Sequence, residues 1–424
     1  MITIVGAGLS GLSAAYHLKE DYTLLEKENN VGGLCRSTKI NGYIFDYAPH
    51  ILFTRDQYTR ELFHKLLAGN LHVQNRRAYI YMQNTYVRYP FEANLYPLPE
   101  KTKKECIEGV IDKPSLQPEN FYDWIQTTMG PGIAEHYMVP YNEKIWKYPL
   151  EKMNTEWIEG RVPSPSIEEI KKGAEKPQPM EYGPNAEFWY PEKGGIQALP
   201  ESLAENIPVK LGAEAIWFNP SSSGVETQYV KDGVEKIIES EKVLSSIPLP
   251  EIIKYMDGIP DAVQEAAQKL VYNSLICVMI GVKRPNVTDK HWIYYPEAEF
   301  IFNRISFPMN FSTNTTPEDR SSILVEVTYR NQLMDLEKTK KRVLRDLMKT
   351  GLMNKEDKIE VCEAKDFKYA YVIYDLKHGK IVKIIHDYLL EHNIIPIGRF
   401  GEWEYYNMDK AILSGKKSVE RINQ

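Results

Sequence analysis

Residues 2–37 read ITIVGAGLSGLSAAYHLKEDYTLLEKENNVGGLCRS. An apolar strand runs into a glycine-rich turn, then a helix, then a second strand. Gly6, Gly8 and Gly11 fall in the GxGxxG spacing directly after the first strand. The first glycine permits the tight turn, the second lets backbone approach a pyrophosphate, and the third lets helix pack on strand. The helix offers unpaired N–H groups and the positive end of its dipole to phosphate. Glu26 closes the second strand twenty residues after Gly6, where a carboxylate can accept from both hydroxyls of a ribose. The glycines alone leave a dinucleotide and an ordinary turn about equal; with Glu26 in place the dinucleotide is favoured.

Composition sets the frame around this motif. A chain of 424 residues is long for one core, so two or three domains are expected. It is 43% hydrophobic and 26% charged, the balance of a soluble globular protein. A net charge of −6 argues against nucleic acid as a partner. Aromatics make up 11% of residues, with 28 tyrosines and 7 tryptophans, more than a core requires and consistent with aromatic-lined clefts. The four cysteines, Cys35, Cys106, Cys277 and Cys362, form no CxxC or Cys/His cluster, so reduced thiols are expected and a zinc site is not. The chain opens directly on a strand, and its longest apolar run, LICVMIGV at 275–282, is too short to span a bilayer. A cytoplasmic protein without a membrane partner is the expectation.

Further along, Asn41-Gly42 and Gln83-Asn84 sit between alternating segments and predict hairpins. Residues 101–144 read as helices, and 209–218, 225–230, 241–248 and 321–330 as strands. A helix is expected over 338–351, a strand at 394–400 and a closing helix that returns to the cofactor domain. The expected organisation is α/β. A discontinuous cofactor domain takes residues 1–70, 190–250 and 390–424; a helical insertion takes 100–189; an antiparallel β-sheet domain takes 71–99 and 251–389.

Six residues after Glu26, the pair Gly32-Gly33 continues into Leu34, Cys35, Arg36 and Ser37. This resembles the double-glycine motif of amine oxidase-like flavoproteins, where the pair and the following Arg and Ser lie along FAD. The resemblance implies FAD rather than NAD, and a Rossmann-like domain of the GR2 type. Longer stretches resemble the UDP-galactopyranose mutase family, especially its eukaryotic type. They are FDYAPHILF, YVRYPFEANLYPLP, GPNAEFWYPEKGG, HWIYYPEAEFIFNR, GRFGEWEYY and the block from Trp124 to Val162 that contains PYNEKIW and WIEGRV. The match spans almost the whole chain.

That resemblance implies a ring contraction between a nucleotide-linked pyranose and its furanose. Reduced FAD is the nucleophile in it, with no net redox change, and a reductant (NADPH, NADH or another donor) is then a partner. A doubly charged pyrophosphate leaves, which calls for fixed cations and hydrogen-bond donors. Arg161 and Arg304 match the family's pyrophosphate arginines, and a guanidinium fork suits phosphate. Tyr294, Tyr371 and Tyr405 match tyrosines on sugar or pyrophosphate, and Arg399 an arginine near flavin and sugar. Asn185 matches an asparagine on a flap over the substrate, and His50 the histidine of the loop beside the isoalloxazine. Arg77, Met408 and Asp409 fall near the cofactor. Tyr89, Asn142 and Trp146 match the uridine pocket, with Tyr137 in place of a phenylalanine.

Departures bear on the substrate. The Gly-Gly-His loop is here Ala48-Pro49-His50, and a pyrophosphate tyrosine aligns with Phe311. Glu92 stands where the fungal-type pattern has glutamine. An ionised glutamate only accepts hydrogen bonds, which suits the N1 and N2 donors of guanine better than uracil. A GDP-sugar or a UDP-N-acetylgalactosamine-type substrate therefore stays open beside UDP-galactose, and so does a homo-oligomer. Rival readings are an amine or protoporphyrinogen oxidase, which has no evident use for Arg161 with Arg304, an NAD dehydrogenase and a scaffold with a vestigial flavin site.

Overall fold

The computed structural model describes residues 1–158, 161–179 and 186–422. Ile394–Pro396, Lys242–Ser245, Ile2–Val5, Tyr22–Glu26 and Val209–Leu211 lie side by side in that order as a five-stranded parallel sheet. Ile2–Val5 is buried at every position, because helices cover the sheet and leave no polar face. Helix Leu9–His17 and the closing helix Met408–Ile422 pack together. Ser13 Oγ donates to the Ile412 carbonyl at 2.7 Å, and a Cβ on Gly415 would overlap the Ser10 carbonyl. The sheet thus gathers strands from both ends and the middle of the chain.

A second sheet has seven strands, ordered Ile359–Val372, Tyr272–Val282, Ser321–Tyr329, Arg304–Ser306, Trp292–Tyr294, Ala78–Met82 and Thr85–Arg88. The antiparallel expectation needs one correction: Trp292–Tyr294 runs parallel to Ala78–Met82, so the sheet is mixed. More than two hundred residues separate those two strands, so no hairpin turn imposes the antiparallel sense. Gln83 and Asn84 both adopt left-handed φ, 49° and 57°, at the turn joining the last two strands. Three further antiparallel strands, Ala213–Ser221, Gly224–Lys231 and Val234–Ser240, form a separate sheet.

The middle of the chain supplies helices Glu100–Ile111, Phe121–Ile133, Val139–Trp146 and Ile167–Glu175. The first two approach closely at Gly109 and Gly132, where a side chain on either glycine would strike the other helix's backbone. A wide π-turn, Ala134–Met138, leads into Val139–Trp146, so PYNEKIW is helical, with Pro140 in its first turn where no N–H is missed. Among the described residues, no helix is long and apolar enough to cross a membrane. All four cysteines are free thiols.

Candidate active site

The glycine turn forms a cradle sized for backbone alone. Gly6 sits at φ 93°, and a Cβ on Gly11 would overlap the Gly6 carbonyl oxygen. Gly32 and Gly33 fold back on the turn: Gly32 N donates to the Ala7 carbonyl at 2.8 Å, and a Cβ on Gly33 would stand 3.2 Å from Gly8 Cα. Helix Leu9–His17 starts there with no side-chain cap, leaving its first N–H groups for a ligand. Glu26 is buried and oriented, its carboxylate accepting from Ala7 N at 2.7 Å and Glu28 N at 3.0 Å. These features fit the pyrophosphate and ribose of FAD.

Flanking residues are tied to the same cradle. Arg36 Nε donates to the Gly33 carbonyl at 2.8 Å, and its guanidinium lies 5.0 Å over the Tyr47 ring. Ser37 Oγ donates to Asp46 at 2.7 Å, which ties the double-glycine loop to the hairpin behind it. Leu34 packs beside the buried pair Tyr43 and Phe45. Met408 and Asp409 open the closing helix, with Asp409 accepting from Thr54 Oγ1 at 3.0 Å. Burial pushes His50 down to about 4, with Arg399 and Arg304 adding to the shift. Its Nδ1 lies 2.7 Å from the Ala48 carbonyl. A carbonyl only accepts, so Nδ1 carries the proton and Nε2 presents a lone pair.

Arg161, Arg304 and Arg399 come together around Tyr405 and Tyr371. The Arg161 and Arg399 guanidinium carbons lie 4.9 and 4.8 Å from the Tyr405 ring centroid. Neither has a carboxylate partner among the described residues. Arg161 donates to the Trp157 and Tyr405 carbonyls at 2.6 Å, and Arg399 to those of Tyr406 and Ala370 at 3.0 and 2.8 Å. The Nε of each is buried without a partner. Burial lowers Arg399, and neighbouring Arg161 acts in the same direction. Two cations whose Nε atoms are buried and whose other contacts are neutral carbonyls make a site for an anion. Arg304 differs: it grips the fully buried Glu326 through both Nε and an NH2 donor, the latter at 2.9 Å.

An aromatic wall continues from this point. Tyr371 and Tyr405 are 5.9 Å apart, and Trp146 stands edge-on to both at 6.0 and 5.8 Å. Tyr294 meets Tyr89 at 5.7 Å and Tyr141 at 5.3 Å, and Tyr141 stacks on Tyr137, which stacks on Phe91. Asn142 is engaged within its own helix, donating to the Met138 carbonyl at 2.7 Å and accepting from Trp146 Nε1 at 3.0 Å. Glu92 is buried beside Tyr89 and Tyr137. Arg77 turns away from the wall, its Nε on the Asp289 carbonyl at 2.6 Å. Sequence reading passed over Arg76, which is buried with its guanidinium 4.8 Å over the Tyr89 ring. Alternation of facing along an extended segment was the available signal. Phe311 packs among Phe188, Tyr190, His291 and Trp292. Asn185 lies outside the described residues.

The family model for flavin containing amine oxidoreductases matches residues 9–423. The chain belongs to that family. Membership implies FAD, in agreement with the cradle. A crystal structure of reduced UDP-galactopyranose mutase superposes with a TM-score of 0.93 at 25% identity, covering 100% of this chain and 95% of that one. Putrescine oxidase bound to putrescine superposes at 0.66 with 18% identity, covering 100% and 98%, which speaks for the fold alone. The 4,4'-diapophytoene desaturase of Staphylococcus aureus is 40% identical over 60 residues, a match spanning 13% of this chain and 12% of the desaturase.

Proposed function

We propose that this flavoprotein is a nucleotide-sugar mutase that interconverts UDP-galactopyranose and UDP-galactofuranose. One observation carries the reading: Arg161 and Arg399 flank Tyr405 with their Nε atoms buried and, among the described residues, no carboxylate partner. A site that oxidises a cationic amine has no use for such a pair, whereas a departing pyrophosphate requires it. The likeness to reduced UDP-galactopyranose mutase points the same way.

Reduced FAD, when bound, supplies the electron pair for the anomeric carbon without net redox change. This chain's residues do the remaining work. Arg161 and Arg399 neutralise the charge that develops on the pyrophosphate. Tyr371, whose phenol burial keeps protonated, donates a hydrogen bond, and Tyr405 packs between the two cations. Neutral His50 offers Nε2 as an acceptor beside them. Glu326 fixes the orientation of Arg304, and Trp146 backs the two tyrosines.

The test incubates dithionite-reduced enzyme with UDP-galactofuranose and follows UDP-galactopyranose by chromatography. Conversion is expected with reduced enzyme and not with oxidised enzyme. No product, together with steady peroxide formation from an amine or a porphyrinogen, would sink the mutase reading.

A further inference from the structure

Six acids are buried among the described residues: Glu26, Asp46, Glu92, Glu326, Asp346 and Asp409. Five have partners. Backbone N–H groups hold Glu26, Ser37 and Tyr190 hold Asp46, Arg304 holds Glu326, Arg342 holds Asp346 and Thr54 holds Asp409. Glu92 is the exception: 1% exposed, it is held by its own backbone N–H alone, and its Oε2 meets no donor among the described residues. A buried polar atom left open in this way opposes folding unless something else completes it.

The surroundings say what could complete it. Tyr89 precedes the turn Phe91–Ala93, Cys106 faces it from helix Glu100–Ile111, and Tyr137 faces it from the π-turn. Burial raises all three, Cys106 to about 12, so each is neutral at pH 7. Helix Ile167–Glu175 meets the same turn through Gly173, against Ala93. Arg76 lies over the Tyr89 ring. Among the described residues no cation is paired with the carboxyl, and burial pushes it up to about 7. Flat aromatic faces beside a carboxyl with open capacity suit the edge of a heterocyclic base.

We propose that Glu92 reads uracil as a neutral carboxylic acid, its O–H donating to a ring carbonyl while its C=O accepts from the adjacent ring N–H. This rests on the nucleotide-sugar reading above. A neutral carboxyl carries one donor and one acceptor, like a glutamine amide, whereas a carboxylate only accepts. Uracil has an N–H between two carbonyls and needs the donor. The N1 and N2 groups of guanine both donate and need the carboxylate. The guanine preference expected of an ionised glutamate therefore gives way to uracil.

The experiment is calorimetric titration of oxidised holoenzyme with UDP-galactose between pH 6 and 8.5, a range in which neither the pyrophosphate diester nor the uracil N–H titrates. The Kd is expected to be level at the acid end and to weaken about tenfold per pH unit above the Glu92 midpoint. Proton uptake approaching one per ligand should appear near pH 8 in buffers of different ionisation heat. Glu92→Gln should bind at the acid-limb affinity throughout, with no proton uptake, and Glu92→Ala weakly throughout. A pH-independent wild-type Kd without proton uptake overturns the inference, and so does GDP-mannose binding that tightens with pH and is lost in Glu92→Gln. The proton uptake of the wild type decides the matter if a variant fails to fold. A wild type with the predicted slope but no ring contraction sinks only the mutase reading.

Discussion

Arg161, Arg399 and Arg304 carry the same charge but are held differently, and the difference predicts different phenotypes. Arg161→Ala or Arg399→Ala removes a cation that has no carboxylate partner among the described residues, so turnover should fall by a factor on the order of 10². Thermal melting should show little loss of stability. Arg304→Ala strands the carboxylate of Glu326, which is fully buried, and should cost about 3–5 kcal/mol in a denaturant titration, whatever its effect on rate. Glu92 gives a pH signature. Its folded pKa, about 7, lies above its ordinary 4.5, so the acid is neutral in both folded and unfolded states below pH 4.5 and contributes no loss there. As pH rises from 4.5 to 7 the unfolded chain ionises first, and stability falls by about 3 kcal/mol before levelling off. Glu92→Gln should remove that slope, read as a difference from wild type that grows across this window. Asp46, raised by burial to about 6, has the same sign and remains in both proteins, so the difference isolates Glu92.

At the level of elements, two joints decide whether the site forms. The glycine turn and helix Leu9–His17 touch so closely at Gly11 that a methyl group has no room. Gly11→Ala should push the helix start off the turn and yield protein purified with little flavin, read directly from its visible absorbance. The second joint is inside Val139–Trp146. Asn142 and Trp146 are one helical turn apart and hydrogen-bonded through the indole N–H. Asn142→Ala should cost about 1 kcal/mol and loosen Trp146 against Tyr371 and Tyr405, raising KM more than it lowers kcat.

For the whole molecule, the parallel sheet presents its cofactor cradle toward the mixed sheet, and three arginines from distant segments meet among tyrosines. Concentrating positive charge there opposes folding, since two of the three arginines have no carboxylate partner among the described residues, so an anion that fills the site should stabilise the native state. UDP at a hundred times its Kd should add about 2.7 kcal/mol, seen as a rise in melting temperature that Arg399→Ala abolishes.

The amino-acid order alone determined what depends on short range. The strand–glycine turn–helix unit with Glu26, the Asn41-Gly42 and Gln83-Asn84 turns and the buried strand at 275–282 follow from backbone sterics and periodicity within a few residues. Resemblance pointed to Arg161, Arg304 and Arg399, but not to their states. Arg304 lies opposite Glu326 only because two strands pair in that register, and Arg161 meets Arg399 only because the loop near the C-terminus that carries Arg399 and Tyr405 folds back onto it. Strand 359–372 and helix 378–391 went unread, since the partners that stabilise them are remote in the chain. Which of Arg76 and Arg77 faces Tyr89, and whether Glu92 finds a counter-ion, were likewise settled by packing. Charge compensation and burial belong to pairs of residues, and only the tertiary structure brings those pairs together.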